Sequence, residues 1–328
     1  MTATETRESG LQPERRPWLT TTDHKRIAML TIATALVLFF LMGSLALLMR
    51  AQLAQPGERM MSNETYNELF TMHGSGMIYL VITPIALAFG LYLAPLQVGA
   101  PTVAAPRLTM LGFWLYLFGA ITVLSGFLLT SGPAAEGWTA YTPLSSARFS
   151  PGFGTDLWIT GNFAASLGMI LIAGTVLWTV LLRRAPGMTM LRIPVFSWSA
   201  VATNLMVLAA FPSLLAALGM LAIGRMAPDV FANDIWNIGY QHLFWFYGHP
   251  VVYVMFFPFV GAVAEVLSTF ARRRFFGYKP AVLSLLAFAA LSMSVWGTTC
   301  SPPGRSATTT TRSPRSSCSC PPGWSTWG

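Results

Sequence analysis

Seven apolar runs, each roughly the length of a bilayer-crossing helix and almost free of charge, dominate this chain: 27–49, 77–96, 108–130, 157–182, 195–223, 241–266 and 280–297. A helix needs about 20 consecutive apolar residues to cross the hydrocarbon core. Asp, Glu, Lys and Arg make up only 10% of the 328 residues, against about 25% in soluble domains. An all-α integral membrane protein is therefore expected. The runs exceed a signal-peptide core and recur along the chain, so no cleaved secretory signal, soluble domain or internal repeat is expected.

The basic residues orient these helices. Arg7, Arg15, Arg16, Lys25 and Arg26 precede or open the first run. Arg107 follows the second run, Arg183, Arg184 and Arg192 the fourth, and Arg272, Arg273, Arg274 and Lys279 the sixth. The other loops hold Arg50, Arg59, Arg148 and Arg225 beside seven acids: Glu58, Glu64, Glu68, Glu136, Asp156, Asp229 and Asp234. Positively charged loops stay inside, so a multi-pass protein of the plasma (inner) membrane with a cytoplasmic N-terminus is expected. The net charge of +8 is then a topology signal rather than a nucleic-acid footprint. The outer acids read either as a solvated face or as a docking face for a basic electron carrier.

Four histidines are present: His24, His73, His242 and His249. His24 precedes the first run and reads as interfacial. His73, in LFTMHGSGM, opens the second run, and His242 and His249, in YQHLFWFYGHPVVYV, open the sixth. Both runs head inward, which puts His73 and His249 at a similar expected depth. Ionisable residues inside a membrane mark functional sites. His242 reads as a structural group. Gly74 and Gly76 beside His73 suggest room for a flat macrocycle, with the imidazole as axial ligand. Tyr253 follows His249 by four residues on the same helix face, with Pro250 between them. One histidine cannot make a copper or zinc site, so spacing alone leaves the metal open.

The segments WLTTTDHKRI, RAQLAQPG, LFTMHGSGM, VGAPTVAAPRL, GWTAYTPL, QHLFWFYGHPVVYV and FGYKP follow one another in this order. Over residues 17–297 the chain resembles subunit I of the haem–copper oxidases, the respiratory enzymes that reduce oxygen to water. That family has about twelve membrane helices, and this chain resembles the first seven. The resemblance implies that His73 is an axial ligand of a low-spin haem, of haem a type, and that Arg50 contacts a haem substituent. It implies that His249 ligates copper beside a high-spin haem, and that Tyr253 is the tyrosine cross-linked to that histidine, a source of an electron and a proton. Trp138 and Trp245 match aromatic positions around the cofactors, where core packing and a redox role both stay open. The implied partners are oxidase subunits II and III and cytochrome c, or a bound cytochrome c domain. A quinol as electron donor is the alternative.

Three positions depart from the family pattern. Val251 stands where GHPEV carries its proton-passing Glu, Thr102 where GAPD carries an Asp, and Leu91 where an Asn usually stands. Tyr247, four residues before Val251, is the expected replacement relay.

After Gly297 the chain turns abruptly to Ser, Thr, Pro and Arg, and all three cysteines, Cys300, Cys318 and Cys320, fall there. The family's seventh helix ends VWxHHMFATG, whose paired histidines are the other two copper ligands. Written in GC-rich codons and read one base out of frame, HHMFATG becomes TTCSPPG, the text from Thr298 to Gly304. Two regions are thus expected: an oxidase-like membrane domain over 1–297 and an out-of-frame, disordered tail over 298–328. The parent protein is expected to be a proton-translocating oxidase, and the chain as written an inactive fragment.

Overall fold

The computed structural model describes residues 18–54, 60–228 and 234–299. Thr298 and Thr299, the first residues of the expected disordered tail, are helical, and the rest of that tail, with its cysteines, falls outside the described residues, as do Glu58, Arg59 and Asp229. Eight helices are used below. They are α1 (His24–Gln52), α2 (Asn63–Gln97), α3 (Pro106–Leu128), α4 (Gly154–Leu182), α5 (Val195–Met226), α6 (Asp234–Phe270), α7 (Tyr278–Ser292) and α8 (Trp296–Thr299). Among the described residues there is no strand. Six helices, α1 to α6, are long and apolar enough to span a membrane. The chain is a multi-pass helical membrane protein.

Two boundaries lie well outside the apolar runs. Helix α2 starts at Asn63, where the Ser62 hydroxyl accepts the Thr65 N–H at 3.2 Å and caps the first turn. Its first turns carry Asn, Glu and Tyr, so hydropathy alone hides them. Helix α6 starts at Asp234, also ahead of its apolar run. The expected seventh span, 280–297, is instead a helix of 15 residues followed by a break and the four-residue α8. At 1.5 Å per residue α7 reaches only about 22 Å. Ser292 and Ser294 donate to the carbonyls of Phe288 and Leu291 at this break. Such local bonds compete with helix continuation.

Prolines decide where α2 changes register. Pro84 has no N–H to offer the carbonyl four residues earlier, that of Leu80. The stretch Gly76–Ile82 is wound as a π-helix. The Tyr116 hydroxyl of α3 donates to the Leu80 carbonyl at 2.7 Å, and the Thr83 hydroxyl to that of Ile78 at 2.8 Å. Side chains thus take backbone groups that lipid would leave unpaired.

Small residues set the closest approach. Gly112 faces Gly168, and Gly119 faces Gly161, so that α3 and α4 touch backbone to backbone. A Cβ at any of the four would collide with the partner helix. A hydrogen bond of 2.9 Å between Thr109 and Thr175 ties the same pair of helices together.

Arg225 closes α5 at its C-terminal end, against the loop over 129–153. Its Nε and one terminal nitrogen pair with both Asp156 oxygens, at 2.6 and 3.0 Å. The remaining N–H groups reach the carbonyls of Ser145, Ser150 and Gly152 at 2.8 to 3.0 Å. All five donors of the guanidinium are used.

Tyr116→Phe removes only the hydroxyl that holds the Leu80 carbonyl. Leaving a buried acceptor unpaired costs about 1–3 kcal/mol, so the thermal midpoint of the detergent-solubilised protein should fall. An unchanged midpoint would show that the carbonyl is satisfied elsewhere.

Candidate functional site

His73 sits on α2, ten residues past Asn63, half-buried against α1. Its Nδ1 lies 2.9 Å from the Met42 carbonyl. A carbonyl only accepts, so Nδ1 must carry the proton, and Nε2 keeps its lone pair for a ligand. The two glycines beside it differ in what faces them. A Cβ added at Gly74 would meet the Trp138 Cβ at 3.5 Å, an ordinary contact, whereas the Met42 sulfur occupies the space a Cβ would need at Gly76.

Six residues further along α2, Tyr79 stacks on Tyr247 of α6, with ring centroids 5.7 Å apart and planes within 7°. The Tyr79 hydroxyl donates to the Trp138 carbonyl at 3.2 Å. Trp138 meets Trp245 edge-on at 5.8 Å and Phe244 at 5.3 Å, and the Trp245 indole N–H donates to the Tyr141 hydroxyl. Phe211 of α5 closes the far side of Tyr247 at 4.9 Å. Trp138, Trp245 and Tyr247 therefore share one aromatic layer. Tyr247 is fully buried, and its hydroxyl has no hydrogen-bond partner.

His249 follows half a turn below. Its Nε2 is buried and unpartnered, and its ring lies 4.9 Å from that of Tyr253. The i, i+4 pair expected from sequence is therefore in contact. Tyr79, six residues past His73 on α2, thus meets Tyr247, two residues before His249 on α6.

Arg50, exposed in the last turn of α1, is not drawn into this cluster. His242 lies beside Trp296, ring to ring at 5.4 Å, with Nδ1 unpartnered. His24, the first residue of α1, is buried, with neither ring nitrogen hydrogen-bonded. Val251 and Leu91 are buried, and the Thr102 hydroxyl donates to the Thr22 carbonyl at 3.3 Å. Among the described residues no three His, Cys, Asp or Glu gather into a metal-binding group. His73 fits axial ligation of a haem, with its proton fixed and the other nitrogen free. For copper the described residues supply His249 alone, which does not fit a complete site.

Sequence reasoning missed Tyr79 and Met42. Neither belongs to a motif, and each matters only through the helix it meets. The outer acids also differ from expectation. Asp156 is paired with Arg225, and Glu136 is buried, accepting from the Thr155 hydroxyl.

The family described as "Cytochrome C and Quinol oxidase polypeptide I" matches residues 26–298. A "Probable cytochrome c oxidase subunit 1-beta" of Nocardia farcinica is 47% identical over 314 residues, covering 90% of this chain and 53% of that protein. A "Probable cytochrome c oxidase subunit 1-alpha" of Streptomyces avermitilis is 47% identical, covering 85% of this chain and 48% of its own length. A "Cytochrome c oxidase subunit 1" of Corynebacterium efficiens is 47% identical, with 86% and 49% covered. The chain spans about half the length of the curated relatives it matches.

The seat of Met42 under Gly76 is testable apart from any cofactor. Gly76→Ala should cost about 1–3 kcal/mol through overpacking, and adding Met42→Ala should recover part of that loss. Strictly additive costs in the double variant would show that the two residues do not touch.

Proposed function

The chain belongs to the cytochrome c and quinol oxidase polypeptide I family, and from that premise we propose that it is part of the catalytic subunit of a terminal respiratory oxidase. In the parent enzyme, electrons from cytochrome c reduce oxygen to water, with protons translocated across the plasma membrane. Subunits II and III complete the complex, and the N-terminus is cytoplasmic. Basic residues concentrated on one side of the helices support that orientation. The matched relatives carry cytochrome c oxidase names, which favours cytochrome c over a quinol as donor.

The observation that carries this reading is the pair of histidines with free nitrogens, one on α2 and one on α6. His73 has its tautomer set by the Met42 carbonyl, and His249 presents an unpartnered Nε2 beside Tyr253. Haem and copper, when bound, would supply the electron transfer and the oxygen chemistry. The protein's part is narrower. His73 would hold the low-spin haem, and Arg50 would meet its periphery. Trp138 and Trp245 would wall the site and exclude water. Tyr253 would be poised to give up its phenolic hydrogen beside His249.

His249 alone does not hold copper. The family's paired histidines correspond to Thr298 and Thr299, and we attribute their loss to a one-base slip after Gly297. Trp296 packs 5.8 Å from Phe246, so α8 runs beside the α6 turn that precedes His249. Sequencing the gene through codons 296–300 and removing the slip should give paired histidines followed by further apolar spans. Expressed with subunits II and III in an oxidase-null host, the restored protein should consume oxygen with reduced cytochrome c. The chain as written should not. Oxygen uptake by the chain as written, or an early stop in the restored frame, would overturn this reading.

Tyr247 would carry the proton step that Val251 cannot. A phenol with a reference pKa near 10 works as a hydrogen-bonding relay rather than as a resident anion. In the restored protein, Tyr247→Phe keeps the ring against Tyr79 and Phe211 and should cut turnover and proton uptake by at least about tenfold, within the range of general acid–base contributions, while the haem spectrum stays unchanged. Normal turnover would reduce Tyr247 to packing.

A further inference from the structure

A cavity of about 550 Å³ opens at the outer end of the molecule, between the loop over 129–153 and the ends of α5 and α6. It lies away from His73 and His249 and has no part in the proposed oxidase chemistry. Its size suits a ligand group, since binding clefts run about 300–1,000 Å³. Its walls divide by chemistry. Met220, Leu221 and Phe149 give an apolar side, and Asn237 and Arg148 a polar one.

The polar side is rich in free donors and poor in free acceptors. The Asn237 carboxamide oxygen accepts from the Thr142 hydroxyl, which leaves its NH₂ as a donor. The carbonyl of Ser145, also on the wall, is taken by Arg225. Arg225 itself offers nothing, because Asp156 and three carbonyls use every N–H it has. Arg148 is different. It is exposed, lies 5.7 Å over the Phe149 ring, and has no carboxylate partner among the described residues. An unneutralised guanidinium at the mouth of a cleft selects an anion with several acceptor oxygens. Phe149 on the cleft wall is exposed, and so are Leu144 and Met226, each next in sequence to residues that line it, at the end of a membrane helix. A free anion would gain nothing from them, whereas an acyl chain would.

We propose that this cleft is a binding site for an anionic phospholipid, with its headgroup phosphate on Arg148 and Asn237 and its chains along the apolar rim. Basic clefts between membrane helices recognise such headgroups. The site would fix a boundary lipid against the loop that carries Trp138.

The test uses the 328-residue chain itself and needs no enzymatic activity. Protein reconstituted with phosphatidylglycerol or phosphatidylcholine vesicles is re-extracted in detergent, and retained lipid is counted by native mass spectrometry. Wild type should retain one phosphatidylglycerol that Arg148→Gln loses by about fivefold, the weight of one basic side chain near a membrane surface. Asn237→Ala should lose part of it, and Arg50→Gln, at another exposed outer arginine, none. Circular dichroism on each variant separates loss of lipid from loss of fold. Equal retention by wild type and Arg148→Gln would overturn the proposal, as would equal retention of phosphatidylcholine. So would inorganic phosphate displacing the lipid, which would mark a simple anion site.

Discussion

No water reaches the backbone inside a bilayer, so every carbonyl that a proline or a change of register releases must be taken by a protein donor. In α2 that requirement shapes the centre of the molecule. Pro84 frees the carbonyl of Leu80, Tyr116 reaches across from α3 to take it, and the helix is wound wider over Gly76–Ile82. Single π turns inside α-helices recur at functional sites because they re-aim side chains. Here the turn carries Tyr79, which faces Tyr247 on α6 and donates to the Trp138 carbonyl. One missing N–H is thus linked, through a helix distortion, to the aromatic layer above His249.

Close approach is the second constraint. Lipid offers no hydrophobic drive for helices to associate, so packing depends on small residues that let backbones meet. The facing glycine pairs bind α3 to α4 as a rigid unit. Gly76 lets α1 come close enough for the Met42 carbonyl to accept from His73. The tautomer of a candidate metal ligand therefore rests on a glycine three residues away. Local sequence around the histidine does not reveal this, because the acceptor belongs to another helix.

What could be read in the chain follows from the same physics. Long apolar runs located six spanning helices, and helix periodicity placed Tyr253 on His249. Hydropathy lost the first turns of α2, where Ser62 and the polar residues after it project beyond the apolar core. It also read 280–297 as one span, although serines close α7 at Ser292. Hydropathy likewise leaves out the first turn of α6, which begins at Asp234, ahead of its apolar stretch. Of the two glycines beside His73, Gly76 has its open side taken by Met42, while Gly74 lies in ordinary contact with Trp138. Composition signals which residues are small, and only the partner helix decides what uses the room.

Charge counting has a similar limit on the outer face. Seven acids in the outer loops suggest a strong negative field for a basic carrier. Asp156, however, forms a two-point pair with Arg225, so the two charges nearly cancel at any distance longer than their separation. Glu136 turns inward to Thr155 and the Ala135 N–H, and its charge is masked from solution by the loop above it. Of the outer acids whose side chains are described, Glu64 is exposed and Glu68 half-buried. Both lie at the start of α2, while Arg148 stands unneutralised at the mouth of the cleft between α5 and α6. Arg50, exposed in the last turn of α1 close to the start of α2, offsets Glu64 and Glu68, so a count of acids does not by itself define a negative face.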